Sequence, residues 1–174
     1  MLTRMRIRPR TRADLDACEL LAVAVHRLDG YPPRQAHDLR TFLASPGALG
    51  AWVASRDGDI VGHVALHPNS SPEVITVARR ETGREYEQFG VVARLLVAPE
   101  ARRAGVATTL LDTAVTAARE QGRLPILDVA SHLTAAIGLY EHTGWTRLGV
   151  VVVRIPGDDG PLEEFVYRAP EPKL

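Results

Sequence analysis

The chain has 174 residues and balanced charge, with 21 lysines and arginines against 21 aspartates and glutamates. That length suffices for one sizeable core, so a single domain over 1–174 is expected. The neutral balance excludes a general nucleic-acid binder, which needs a basic surplus to displace counterions from phosphates. A hydrophobic content of 45% with 24% charged residues excludes wholesale disorder.

Met5 to Arg8 alternates and predicts a short first strand. Thr11 to Asp14 then supplies helix-start chemistry for a helix running to about Leu28. Its apolar residues Leu15, Cys18, Leu21, Ala22 and Val25 recur at helical spacing, which points Cys18 into the core rather than toward a reactive role. Gly30, Pro32 and Pro33 break the chain, and a second amphipathic helix is expected over Arg34 to Ala44. Strands at Ala51 to Ser55 and Asp59 to His67 should form a hairpin through Arg56, Asp57 and Gly58. Pro68 to Gln88 loses the pattern and reads as an insertion or flap, with a short helix at Val74 to Glu81.

Phe89 to Val97 is rich in valine and leucine, as a buried central strand requires. After Pro99, Gly105 to Glu120 reads as a strong helix with Gly122 just beyond it. A buried strand is expected at Pro125 to Ala130 and a short helix at Ala135 to His142, ended by Gly144. Strands at Thr146 to Ile155 and Glu163 to Arg168 should form a closing hairpin around Pro156 to Pro161. The longest aliphatic run, Leu148 to Val153, is far shorter than the roughly 20 residues that cross a bilayer. The arginine-rich start, Met1 to Arg12, lacks the apolar stretch of a signal peptide. Cys18 is the sole cysteine and no Cys/His cluster has zinc spacing. No metal site is therefore expected, and a reducing, cytoplasmic compartment is.

The segment that carries chemistry is the step from strand to helix between Leu95 and Thr108. A helix starting here presents unpaired N–H groups and the positive end of its dipole, and the small residues Ala104, Gly105 and Ala107 let an anion reach the backbone. Arg102 and Arg103 add charge at the rim, and Thr108 offers a hydroxyl, so the segment has the chemistry of a pyrophosphate cradle. The lysine of the nucleoside-triphosphate loop and the three glycines of the dinucleotide fingerprint are both missing. The alternative is that Gly105 serves only helix packing and the arginines are solvated.

Arg102, Gly105 and Ala107 match a spacing of Arg or Gln, two residues, Gly, one residue, then Gly or Ala. With the preceding strand end Val97, Ala98, Pro99, this resembles the GNAT superfamily of N-acetyltransferases. The order of elements is similar across nearly the whole chain, most specifically over Phe89 to Trp145. The resemblance implies that the backbone around Arg103, Ala104, Gly105, Val106, Ala107 and Thr108 holds the pyrophosphate of acetyl-CoA, a co-substrate. It also implies that main-chain groups of Leu95, Leu96 and Val97 hold the pantetheine arm. Ala136 to Trp145 is a second family-like segment. An amine attacking a thioester expels a thiolate, and Tyr140 is the candidate acid that protonates it; the alternative is a tyrosine that only packs at a helix end.

The chain departs from the family pattern in two places. Ser131, His132 and Leu133 stand where similar sequences often carry asparagine, and Ala93 and Arg94 stand where many relatives carry a carboxylate in the central strand. The base is thus unassigned, with Glu85, Glu87, Glu163 and Glu164 possible by location and otherwise surface charges. His63 and His67 share a strand face and either contact substrate or simply occupy a polar face, and no third ligand sits at metal spacing.

These readings give an α/β fold: a mixed, mostly antiparallel sheet flanked by helices, with a parallel strand pair that splays apart. The N-terminal helices occupy about 12–45, the acetyl-CoA-binding core about 89–145 and the C-terminal hairpin about 146–168. The expected activity is direct acetyl transfer from acetyl-CoA to a primary amine of a small molecule or peptide. Neither nucleic acid nor membrane is an expected partner, and a homodimer is a reasonable expectation. A CoA-binding sensor or partner-binding domain without turnover is the alternative.

Overall fold

The computed structural model describes residues 4–32, 38–155 and 160–173. In chain order these form β1 (Met5–Pro9), α1 (Leu15–Asp29), α2 (Leu39–Leu43), β2 (Gly50–Arg56), β3 (Asp59–His67) and α3 (Pro72–Thr82). There follow β4 (Phe89–Val97), α4 (Val106–Glu120), β5 (Leu124–Ala130), α5 (Thr134–His142), β6 (Thr146–Arg154) and β7 (Pro161–Arg168). The strands form a sheet in the order β1-β2-β3-β4-β5-β7-β6. Its pairing is mixed and mostly antiparallel, as expected, and β4 with β5 is the parallel pair. That parallel ladder covers only Phe89↔Leu124 to Val91↔Ile126, although both strands continue beyond it. Among the described residues no helix is long and apolar enough to cross a membrane.

The chain divides into two compact units, Met1–Leu66 with Val92–Ala117, and His67–Val91 with Ala118–Leu174. In the first, the turn between β2 and β3 places Asp57 and Gly58 at φ 53° and 95°. Two successive positive φ values are what a tight hairpin turn with the right twist requires. Asp14 closes the step from β1 to α1. Its carboxylate accepts from Thr11 N at 2.7 Å and from both terminal nitrogens of Arg8 at 2.7 and 2.8 Å, so the guanidinium holds it well below the usual carboxylate range. Along α1, Leu15, Cys18, Leu21, Ala22 and Val25 are buried, and burial pushes the Cys18 thiol up to about 11, which keeps it protonated and inert. The second helix starts at Leu39 because Asp38 caps it, accepting from Thr41 N at 3.1 Å; residues 34–37 of the expected helix lie outside the described residues.

Helix α4 lies close on β3. A Cβ built at Gly62 would stand 2.8 Å from Leu110 Cδ1 and 3.0 Å from Val106 Cγ1, so glycine is the residue that admits the first two turns of the helix. Val106, Leu110, Leu111, Ala114 and Val115 are buried along its inner face.

The second unit is built around Val74, Ile75, Val77, Ala78, Phe89, Val91, Ile126, Val151, Val153 and Val166. Four of these come from α3, so the segment read as an insertion or flap is a layer of the core. Ser71 accepts from Val74 N at 3.3 Å, Pro72 opens the helix and Gly83 ends it at φ 67°. Gly149 on β6 leaves room for Val77, whose Cγ1 would lie 2.9 Å from an added Cβ. The turn expected at Pro156 to Pro161 is described only from Gly160 onward.

The contact at Gly62 sets a test of this packing. Gly62→Val should overfill the α4 contact and lower stability by about 1–3 kcal/mol, read from chemical denaturation, whereas Gly58→Asn in the exposed turn should cost less.

Candidate active site

In the first unit, β4 ends at Val97 and the chain makes one 3-10 turn at Pro99–Ala101 before α4 begins. Ala98 N donates to Val61 O at 2.9 Å, which ties the strand end to β3, and Ala101 is fully buried. The chain then passes through Arg103 at φ 59° and Gly105 at φ 76°. Two left-handed residues so close together fold the backbone sharply, and only the glycine adopts this conformation without steric cost. Among the described residues, no amide from Arg103 to Thr108 donates to a backbone carbonyl; the first bond of the turn is Thr109 N to Gly105 O at 3.0 Å. Ala104 and Gly105 are exposed, and nothing lies within 4 Å of a Cβ built at Gly105. The bare amides, open space and helix dipole together fit a diphosphate.

Two arginines given one role from the sequence stand apart here. Arg102 donates from Nε to Val97 O at 3.3 Å and from its two terminal nitrogens to Asp29 at 2.6 and 3.2 Å. Its fork is engaged, and it folds the turn back onto the end of β4. Arg103 is exposed. Leu96 is buried, while Leu95, Val97, Ala107 and Thr108 are half-buried.

Within the same unit Arg94 has φ 53° inside β4. Its guanidinium stacks 4.5 Å from the Phe42 ring centroid and Nε donates to Phe42 O at 3.3 Å. His63 is fully buried and His67 is 6% exposed, so the face they share is covered rather than a solvated polar surface.

In the second unit, Tyr140 is buried at the end of α5, its ring centroid 6.0 Å from that of Trp145 and 6.1 Å from that of Tyr167. Tyr167 donates its hydroxyl to Glu141 at 2.8 Å and accepts from Arg147 Nε at 3.2 Å. Desolvation and the Glu141 bond raise its pKa. A committed phenol therefore stands beside the candidate acid.

The four glutamates considered as bases separate by environment. Glu85 and Glu87 are exposed, and Glu85 pairs with Arg79 at 2.8 Å. Glu163 is exposed as well. Glu164 is half-buried, and desolvation, with the neighbouring Asp128 carboxylate next, pushes its pKa up to about 8. Asp128 was not singled out from the sequence. It sits within the apolar strand β5, where Ser70 Oγ donates to it at 2.9 Å. A lone carboxylate inside Pro125–Ala130 was the available signal, yet its partner is 36 positions away and could not be named. The hydrogen bond and the like charge of Asp128 both favour the protonated form of Glu164, as expected when carboxyls meet with little water between them.

Comparison with known proteins identifies the family. Residues 15–145 match the model of the acetyltransferase (GNAT) family. N-acetyltransferase 8 of Mus musculus is 31% identical over 134 residues, 75% of this chain and 54% of its own length. The Rattus norvegicus protein of that name is 32% identical over the same share, with 55% of its own length covered. The chain thus spans about half the length of the curated relatives it matches. Among solved structures, ribosomal-protein-alanine N-acetyltransferase from Brucella melitensis superposes with a TM-score of 0.71 at 22% identity, covering 95% of this chain and 99% of that one. Arabidopsis thaliana NAA60, in complex with acetyl-CoA, gives 0.68 at 21% identity over 95% and 98% of the two chains. With a family model spanning most of its length and relatives above 30% identity, the chain belongs to the GNAT acetyltransferase family.

Proposed function

We propose that this protein transfers the acetyl group of acetyl-CoA to a primary amine of a small molecule or peptide by direct attack. The observation that carries this is the run of unpaired amides from Arg103 to Thr108 opening α4, in a chain of the acetyltransferase family. That the curated relatives are named N-acetyltransferases and that a fold neighbour is solved with acetyl-CoA supports the same co-substrate. Backbone groups of Leu95, Leu96 and Val97 would hold the pantetheine arm, and Gly105 with its neighbours the pyrophosphate. A single cysteine, buried and unpaired, suits a reducing cytoplasm.

The chemistry asks two things of the side chains. The ammonium form of the acceptor must lose a proton before its nitrogen attacks the thioester carbon, and the departing thiolate must gain one. We assign the first task to the Asp128–Glu164 pair, whose shared proton leaves near pH 8, close to the operating range that suits a base. Tyr140 takes the second, donating its phenolic proton to the sulfur as the C–S bond breaks. Cys18, buried and protonated, takes no part, so no acyl-enzyme is formed.

Three measurements test this. Titration calorimetry should show CoA binding to the wild type and none to Gly105→Glu, which places a strained side chain and a negative charge where the diphosphate sits. Tyr140→Phe should slow free-thiol release across an amine panel by about tenfold or more with CoA affinity unchanged. Binding without thiol release from any amine would instead favour the sensor reading.

The carboxylate pair sets the pH dependence. Its proton must leave before it can act, so kcat/KM should rise with an inflection near pH 8. Glu164→Gln should move the inflection to lower pH, and Asp128→Asn should reduce kcat by about 100-fold or more. An inflection unmoved by Glu164→Gln would assign it to the amine. Folding raises this pKa from 4.5, so the folded state binds the proton more tightly than the unfolded chain. The pair's contribution to stability therefore declines as pH rises from about 4.5 to 8, a decline that Glu164→Gln should flatten.

A further inference from the structure

Arg94 lies inside β4 with a left-handed backbone, φ 53°, which an L-residue with a Cβ adopts inside a strand only when its surroundings hold it there. One restraint on its backbone is a fully buried side chain. His63 Nδ1 donates to Arg94 O at 2.8 Å, and its Nε2 lies 3.0 Å from Arg10 Nη1. A carbonyl oxygen only accepts and a guanidinium only donates, so the contacts assign the proton to Nδ1 and make Nε2 the acceptor from Arg10. The same Arg10 nitrogen donates to Leu43 O, and Arg94 Nε donates to Phe42 O. Two carbonyls at the end of α2, which no helical partner can satisfy, are thus taken up by the two arginines that flank His63. Arg10, His63, Arg94 and the end of α2 form one closed set of bonds around the kink.

The kink comes immediately before Leu95, and its consequence is local. A left-handed residue turns the peptide groups that follow it, so the conformation at Arg94 decides which way the N–H and C=O of Leu95 to Val97 face. We propose that His63 is a positioning residue for the co-substrate: by holding the Arg94 carbonyl it fixes the backbone that receives the pantetheine arm. This rests on the acetyl-CoA reading above and adds a side chain to it that touches no substrate.

Two amides of similar size separate the two nitrogens of the ring. His63→Asn keeps a donor near the Nδ1 position, whereas His63→Gln extends to the Nε2 position, keeping the contact with Arg10 and losing the one with Arg94. His63→Gln should weaken CoA binding about tenfold and raise KM for acetyl-CoA with that for the amine unchanged. His63→Asn should stay within about threefold of the wild type. Hydrogen–deuterium exchange should be faster over the peptide containing Leu95 to Val97 in His63→Gln alone, with melting temperatures reported for both variants. Equal CoA affinity and equal exchange in the two variants would overturn the assignment, as would weaker binding in Asn than in Gln. Should the wild type bind no CoA, the acetyl-CoA reading fails, and the exchange comparison still decides whether His63 holds the kink.

Discussion

Backbone amides can hold an anion only if they are left without partners and are aimed at it by something rigid. In this chain both conditions trace to the approach of α4 to β3. With no Cβ at Gly62, Val106 and Leu110 reach the strand, and the first turns of the helix lie flat on a packed surface. Between Val97 and Val106 the chain makes a 3-10 turn and then passes through Arg103 and Gly105 in left-handed conformations. Among the described residues, the amides from Arg103 to Thr108 donate to no backbone carbonyl. Arg102 completes the arrangement from the other side, drawing the turn onto Val97 O while Asp29 neutralises its charge.

A different constraint operates in the second unit. Helix α3 covers one part of the sheet through Val74, Ile75, Val77 and Ala78, and the glycine at 149 lets it come close. Carboxylates on a strand face that is covered lose hydration that a solvated face would provide. Burial and the neighbouring Asp128 raise the pKa of Glu164, and Ser70 donates a hydrogen bond to Asp128. The raised pKa of Glu164 is therefore a product of core packing.

What the sequence discloses and what it hides divide along the range of the interactions. The boundaries of β3 and β4 are legible to the residue, because alternation, apolar runs and the Asp57-Gly58 turn are local signals. The cradle reading rests on signals of the same kind, since Gly105 and its small neighbours act within a few positions. α3 is misread as a flap because its apolar face makes sense only once Gly149 and β6, far along the chain, are in place. Likewise Arg102 looks like free charge until Asp29, 73 positions earlier, is found beside it. Asp128 hides for want of Glu164, and His63 for want of Arg94 and Arg10, since pairs of this kind have no spacing by which to be recognised.

The split within the Arg102, Gly105, Ala107 motif has a consequence for where the affinity of such a loop arises. If the arginine met the diphosphate directly, its charge would dominate binding and salt would screen it strongly. With its fork held by Asp29 and its Nε by Val97 O, Arg102 instead contributes by keeping the turn folded. On the proposed reading the attraction would fall to oriented N–H dipoles and the helix end, which would lose nothing to reorganisation on binding an anion. A lysine at 102 would keep the charge and forfeit the planar fork. On this geometry the motif specifies a shape of backbone, and the positive charge within it is a means of holding that shape.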